Sequence, residues 1–474
     1  MQCQLDDTHL HDMVRDTIAR WRDGDEPNAA ALLTEHPALS RHKSLAIDLI
    51  YEEFCLRSEA GDTLVRSTFC DRFPGYQQSL VKMLEVHAAL EQCQTPAAPL
   101  VWPKVGEAFE GYELVEALGR GSLARVFLAR ERALGNRLVV VKVSQHGARE
   151  AQMLGKVAHA AIVPVFSVRH DEASGWTVIC MPLVGTATAT DLLDAAFVEG
   201  RPPAKADVIP RVAAQFRPIG MPADAVSPAD RRLWSGTYVD GIARFGLHLA
   251  EGLQTAHNAG IMHRDIKPSN VLLAWSGLPM LLDFNLSTDI SLVSERVGGT
   301  LPYMAPELMR GLVADVGQTS RDKSSRDKSS GEQASGVKLA RQFDARSDLF
   351  SLGAVLYQLL TGQLPARPEN ADRLPVDAVE PWLACRAQLV PAPRSLNPAV
   401  APELEAIVLR CLASEPEKRF ATAGELVEAL SKYLGPVAAA KRVLRARRRQ
   451  LLLLAAGVIA VGLSGAFYSA SLAP

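Results

Sequence analysis

His263-Arg264-Asp265-Ile266-Lys267-Pro268-Ser269-Asn270 follows a helical stretch and precedes the apolar run 271–274, and Asp283 lies thirteen residues after Asn270, between Leu281-Leu282 and Phe284. This order of a carboxylate, an ammonium, a carboxamide and a second carboxylate suits one task. Asp265 can accept a proton and orient a hydroxyl, and Lys267 can neutralise charge on a transferring phosphoryl group. Asn270 and Asp283 offer the hard oxygen ligands that Mg²⁺ takes. A polar surface loop accounts for any one of these residues but not for their joint order.

Two further features lie upstream. Leu118-Gly119-Arg120-Gly121-Ser122-Leu123-Ala124-Arg125-Val126 is a glycine-rich turn between strand-like stretches, 113–117 and 126–129. Glycines let a backbone approach a polyphosphate and aim its N–H groups at it. A two-glycine hairpin looks similar, and because the turn opens no helix it is not a dinucleotide-binding fingerprint. Lys142 stands inside the apolar run 139–143, where an ammonium is costly unless paired. It is either a lysine on the solvent side of an edge strand or a phosphate-binding lysine held by a carboxylate, for which Glu150 is the candidate.

Around these features the chain divides. Residues 1–93 read as a small helical domain, with Ala46, Leu49, Ile50 and Phe54 at helical spacing, as are Tyr76, Leu80, Met83, Leu84 and His87. Pro96, Pro99 and Pro103 mark a semi-rigid linker over 94–107. Strands are predicted at 137–143, 162–167 and 177–181, and helices at 148–157, 242–259 and 349–361. A sheet-rich lobe, 108–184, therefore precedes a helical one, 185–434. Residues 195–235, with six prolines, read as a surface excursion, and 314–340 holds a tandem SRDKS repeat too polar to order itself.

Composition excludes several classes. With 474 residues, 51 basic against 53 acidic, 48% apolar and 22% charged, the chain is neither collagenous nor wholly disordered nor a globally basic nucleic-acid binder. Seven scattered cysteines without a CxxC pair suit a reducing compartment, and the polar, acidic N-terminus shows no signal peptide. Six cations crowd into 441–449, within the basic segment 435–450, just before 451–472, which is 22 residues without a charge. A helix of that length spans about 33 Å, enough for about 30 Å of hydrocarbon. The basic flank keeps its side cytoplasmic, so the expectation is a tail-anchored chain in the cytoplasmic membrane with no extracellular sensor. A buried C-terminal helix is the alternative. The basic cluster faces lipid headgroups more readily than nucleic acid.

Over 112–434 the sequence resembles the protein kinases, specifically the bacterial eukaryotic-like (Hanks-type) serine/threonine kinases with a membrane segment. Ala305-Pro306-Glu307 matches the end of their activation segment and Gly299-Thr300 with Tyr303-Met304 its approach. Asp348 matches the brace of the catalytic loop, and Arg419 the ion-pair partner of Glu307. The resemblance implies an α+β bilobal fold: a small antiparallel sheet lobe with the family's helix C, then a larger, mainly helical lobe. A small helical domain would precede it and one transmembrane helix follow it.

It also implies roles. Residues 119–126 would cover the phosphates of ATP, with Leu118 and Val126 about the adenine and Met181, or Cys180 with a one-residue shift, leading into the hinge. Lys142, fixed by Glu150, would grip the α- and β-phosphates, Asp265 deprotonate the acceptor, Lys267 meet the γ-phosphate, and Asn270 and Asp283 hold Mg²⁺. The substrates implied are Ser/Thr hydroxyls of proteins, with Thr300 helping to set that acceptance, and a homodimer could autophosphorylate at Thr288, Ser291, Ser294 or Thr300. Two departures are Ala124, at the third glycine position, and Asn285, where the family has the glycine after Asp-Phe. A catalytically idle nucleotide-binding scaffold and a small-molecule phosphotransferase are the competing readings.

Overall fold

The computed structural model describes most of 13–84 and then 102–120, 124–144, 157–171, 175–198, 200–215, 234–284, 301–313, 344–368 and 379–438, with residues 155 and 440. Among its N-terminal residues, α1 (Ala29–Glu35), α2 (Lys43–Glu59) and α3 (Arg66–Asp71) gather a core around Leu49, Ile50, Phe54, Phe69, Leu80 and Leu84. The fully buried Glu53 ties them together: it accepts from Ala29 N at 2.7 Å and pairs with Arg72 at 2.7 Å.

Period-two alternation builds the next unit. Six antiparallel strands, β1 (Ala108–Phe109), β2 (Tyr112–Arg120), β3 (Ala124–Glu131), β4 (Arg137–Ser144), β5 (Ser167–His170) and β6 (Thr177–Pro182), lie in the order β1-β2-β3-β4-β6-β5. Val139, Val141 and Val143 enter one core with Tyr112, Phe127, Val178 and Cys180. Val140 and Lys142 belong to the opposite face by the pleat. On that core, Trp102 packs against Trp176 with ring centroids 4.5 Å apart, and the Arg125 guanidinium lies 4.7 Å from the Trp102 centroid.

Helices dominate thereafter: α4 (Ala189–Ala196), α5 (Val208–Gln215), α6 (Tyr238–Asn258), then β7 (Val271–Leu273) paired with β8 (Pro279–Leu281), and α7 (Ala345–Thr361), α8 (Val379–Arg386), α9 (Pro393–Leu396), α10 (Pro402–Cys411) and α11 (Ala423–Leu434). Thr237 caps α6 by accepting from Asp240 N at 3.1 Å, and Asp344 caps α7 by accepting from Arg346 N at 2.7 Å. Helices α6 and α7 meet so closely that a Cβ on Gly246 would stand 2.8 Å from Leu356. Thirteen of the seventeen residues of α7 are buried, so it is the axis of this lobe.

Two expectations need correction. Residues 162–167 are not a strand: Ile162 makes one isolated parallel bridge to Leu281, and β5 starts at Ser167. Pro164 has no N–H to give a ladder, which overrides the β-branched composition. Nor is 195–235 merely a surface excursion. Val208, Ile209, Val212 and Ala213 of α5 enter the main core, and the buried Trp234 donates to Ser276 O at 2.9 Å. Pro210 is tolerated because it sits in the first turn of α5, where no helical N–H is needed. The predicted helix 148–157, for all but its last residues, the SRDKS repeat and the apolar stretch 451–472 lie outside the described residues. Among the described residues no helix is long and apolar enough to cross a membrane.

Segment 301–307 is clasped to α7. Glu307 forms a two-point pair with the buried Arg419, both contacts 2.7 Å, and accepts from Ser347 Oγ at 2.8 Å. Burial pushes the Glu307 carboxyl up, but the hydrogen bonds and charge of Arg419, helped by Ser347, outweigh it and hold the group below its usual range. A depressed carboxyl stabilises the fold fully above its unfolded value, about 4.3, and that stability is lost as pH falls through the folded value. Denaturant unfolding between pH 6 and pH 3 should therefore show a shallower loss of stability for Glu307→Gln than for the wild type. Equal slopes would contradict this reading of the pair.

Candidate active site

The site is assembled on a loop that cannot hold itself. Residues 263–267 lie between α6 and the 3₁₀ turn Pro268–Asn270, and Arg264 has φ +66, a left-handed conformation unfavourable for a side chain with a Cβ. The conformation is held from below. Asp348, 2% exposed on α7, accepts from His263 N and Arg264 N at 2.8 Å each, and it contacts His257 Nε2 of α6 at 2.8 Å. Burial alone drives the Asp348 carboxyl up; the bond to and charge of His257, with the His263 contacts, hold it below the ordinary range. His263, wholly buried, has its pKa lowered by burial, and its ring lies 4.4 Å from that of Phe284. That contact joins the loop to the Asp283 segment.

Around this brace the polar side chains converge. Asn270 Nδ2 donates to Asp265 Oδ2 at 2.9 Å and to Asp265 O at 2.8 Å, and Lys267 Nζ lies 2.9 Å from Asp265 Oδ2. One carboxylate oxygen is thus pinned twice, which fixes the plane of the group. Leu282 N donates to Asn270 O at 2.9 Å, setting the two segments side by side. Asp283, at φ +52, accepts from Lys142 Nζ at 2.6 Å. The ammonium from the sheet lobe therefore reaches the carboxylate of the helical lobe, across 141 residues of sequence.

This pairing differs from the expected Lys142–Glu150 contact: the partner described for Lys142 is Asp283, and Glu150 lies outside the described residues. So do Gly121, Ser122, Leu123, Asn285 and Thr300. Gly119 and Arg120 end β2, and Ala124, Arg125 and Val126 open β3, with Gly119 opposite Val126 and Val126 opposite Lys142. Leu118 is 37% exposed. Leu128, Val140 and Met181 align across three strands, and Met181 packs with Leu272, Met280 and Leu282 between the lobes. Cys180 faces the other way, into the sheet's own core, where burial raises its thiol pKa. Of the two, Met181 is thus the one whose side chain packs against the residues of β7 and β8. The hinge that follows lies tight on β7: Trp275 N donates to Val184 O at 3.0 Å, and a Cβ on Gly185 would stand 2.1 Å from Leu273 O.

Sequence reasoning missed His257, Ser351 and Arg386, each a lone polar residue within a helix, with no motif to mark it. Their importance depends on what the fold brings opposite them.

The chain is similar in sequence to known proteins. Residues 235–325 match the family model described as protein kinase domain. The chain is 29% identical over 340 residues to serine/threonine-protein kinase PksC of Streptomyces coelicolor, covering 67% of this chain and 48% of that one. It is 30% identical over 345 residues to serine/threonine-protein kinase Pkn1 of Myxococcus xanthus, covering 70% and 39%. The chain thus spans about half or less of the length of these relatives. The kinase domain of Mycobacterium tuberculosis PknI overlays loosely, with a TM-score of 0.40 and 20% identity over 70% of this chain and 99% of that one. The convergence of the two lobes on Lys142, Asp265, Asn270 and Asp283, together with the sequence matches, identifies a protein kinase domain of the bacterial serine/threonine kind within this chain.

Proposed function

We propose that the chain is an ATP-dependent serine/threonine protein kinase. The observation that carries this is the Lys142–Asp283 contact beside an Asp265 already oriented by Asn270 and Lys267. In this reading Lys142 and Asp283 neutralise one another until the polyphosphate of ATP enters between the lobes. Lys142 then turns to the α- and β-phosphates. Val126, Val140, Met181 and Leu272 supply apolar walls for the base. The 119–126 turn covers the phosphates and Glu150 is the second partner for Lys142.

Mg²⁺ fits the donor set. Asn270 commits its Nδ2 donors to Asp265, so what its side chain has left to offer is an oxygen, and Asp283 adds a carboxylate. Mg²⁺ takes one or two protein ligands and completes its shell with phosphate and water. When bound, the ion offsets phosphate charge. Asp265 accepts the proton of a Ser or Thr hydroxyl as its oxygen bonds to the γ-phosphorus. The bond from that phosphorus to the bridging oxygen breaks, and ADP leaves with the electron pair. Lys267 offsets the charge on the transferring group. Most of the rate comes from positioning and electrostatics.

The same reading places the chain at a membrane, supported by the uncharged run 451–472 and the six cations before it. Protein substrates meet the kinase on the cytoplasmic face, and two anchored copies can phosphorylate one another.

Two measurements test these proposals. With radiolabelled ATP, the full chain should label acceptor protein, and Asp265→Asn should reduce transfer by about 10²–10⁴-fold while nucleotide binding persists. Transfer unchanged by that substitution contradicts the mechanism. The full chain should float with phospholipid vesicles and a chain ending at residue 440 should not; equal flotation of both removes the anchor.

A further inference from the structure

Trp102 stands ahead of the first strand and is the only aromatic residue in 94–107. Pro103 follows it and is buried, which biases the Trp102 backbone toward extended conformations. The chain beyond is fastened at once. Lys104 N donates to Glu107 Oε2 at 2.9 Å, Gly106 N to Leu114 O at 2.8 Å, and Leu114 N to Glu107 O at 3.0 Å. A second clasp lies past β1, where Arg169 Nη1 of β5 donates to Glu110 O at 2.6 Å. Trp102 is thus delivered to a fixed place on the sheet.

That place is the margin of the sheet's own core, beside the buried Trp176. The turn ahead of β6 presents Trp176 there, with Gly175 N donating to Asp171 O at 2.8 Å. Arg125 reaches the same spot from β3. By the pleat it shares a strand face with Phe127 and Ala129, both in that core, while Val126 belongs to the opposite face. Arg125 and Trp102 are each half-buried, and the guanidinium lies over the indole at 4.7 Å from its centroid. An indole is the best aromatic partner for a cation, and the contact gains as water is excluded.

What the contact holds is the end of a ladder. Arg120 opposite Arg125 is the last described pair of β2 and β3, with Gly119 opposite Val126 and Val126 opposite Lys142. The register of β2 shifts between Ala117 and Gly119, just where it supports this end of β3. Among the described residues β1 backs β2 only at residues 112 and 113, at the far end of the strand. Lys142, by contrast, is flanked by β3 and by Ile179 of β6. Val126 therefore lies one irregular strand from the sheet's edge, and the contact of Arg125 with Trp102 ties its strand end to the core.

We propose that Trp102 is a positioning residue for the nucleotide: by holding Arg125 against the sheet's core it fixes the strand end that sets Val126 against the base. This inference rests on the kinase reading above. Trp102 touches neither nucleotide nor acceptor, and it acts through Arg125. Because it lies ahead of β1, the chain leading into the sheet tunes how tightly the sheet grips ATP.

The test uses the full chain, with calorimetric Kd values for MgATP and for adenosine and radiolabel transfer at saturating MgATP. Trp102→Leu keeps apolar cover but has no ring face, and it should raise both Kd values about fivefold, within what one cation–π contact supplies. Transfer at saturating MgATP should stay within about twofold of the wild type, because the loss is in binding and not in the chemical step. Trp102→Phe keeps a ring and should recover most of the affinity. Arg125→Gln should show the same loss as Trp102→Leu, and the double variant no more than either alone. Should Trp102→Leu fail to fold, Arg125→Gln reads the same contact from the strand side. Unchanged affinity, additive losses, a loss for MgATP alone, or a saturating rate that falls with the affinity overturns the proposal. A wild type that binds neither ligand, or binds them and transfers nothing, overturns it together with the kinase reading. An active wild type indifferent to both substitutions overturns Trp102 alone.

Discussion

The buried Asp348 carboxylate is the constraint from which the active site follows. A negative charge in the core of the helical lobe is tolerable only when fully engaged. Here it is met by two backbone N–H groups and one imidazole. Those N–H groups belong to His263 and Arg264, so what satisfies the charge also holds Arg264 in its left-handed conformation. Asp265 follows directly. The hydrogen bonds between loop and acid offset both the strain of the one and the desolvation of the other, so each arrangement depends on its partner.

A second dependence crosses the lobes. Val140 and Lys142 share a strand face, and the pleat that buries Val139, Val141 and Val143 sends the lysine toward Asp283. The charge pair therefore senses how the lobes stand to each other. In the proposed reading, a polyanion entering between them takes Lys142 as its counter-charge and leaves the Asp283 carboxylate to the cation that accompanies it. Asn270 belongs to both parts, since its side chain orients Asp265 and its carbonyl accepts from Leu282 N beside Asp283.

Much of this was legible in the chain because chemistry and periodicity left separate marks. His263 to Asn270 and Asp283 bear residue types with little other reason to occur in that order, and β4 and β6 follow from alternation. Composition misled where a proline acted against or within an element: Pro164 broke the strand that Ile162 and Val163 suggested, and Pro210 disguised α5 as loop. Lys142 was legible as a lysine needing a carboxylate, with Glu150 the candidate; that Asp283 also meets it was not, because a partner 141 residues away leaves no local trace. Arg386 was illegible for the same reason; nothing in its neighbourhood reveals that Leu301 and Pro302 lie against it. Met181 and Cys180 were separable only by strand register, which sets their faces one residue apart.

The most direct measurement is a crystal structure of the full chain with a non-hydrolysable ATP analogue and Mg²⁺. The account predicts density for one ligand in contact with Lys142, Asn270 and Asp283, its terminal phosphate beside Asp265 and Lys267 and its base against Met181 and Leu272. A nucleotide bound elsewhere, or held between the lobes with Lys142 or Asp283 turned away from it, would contradict the account.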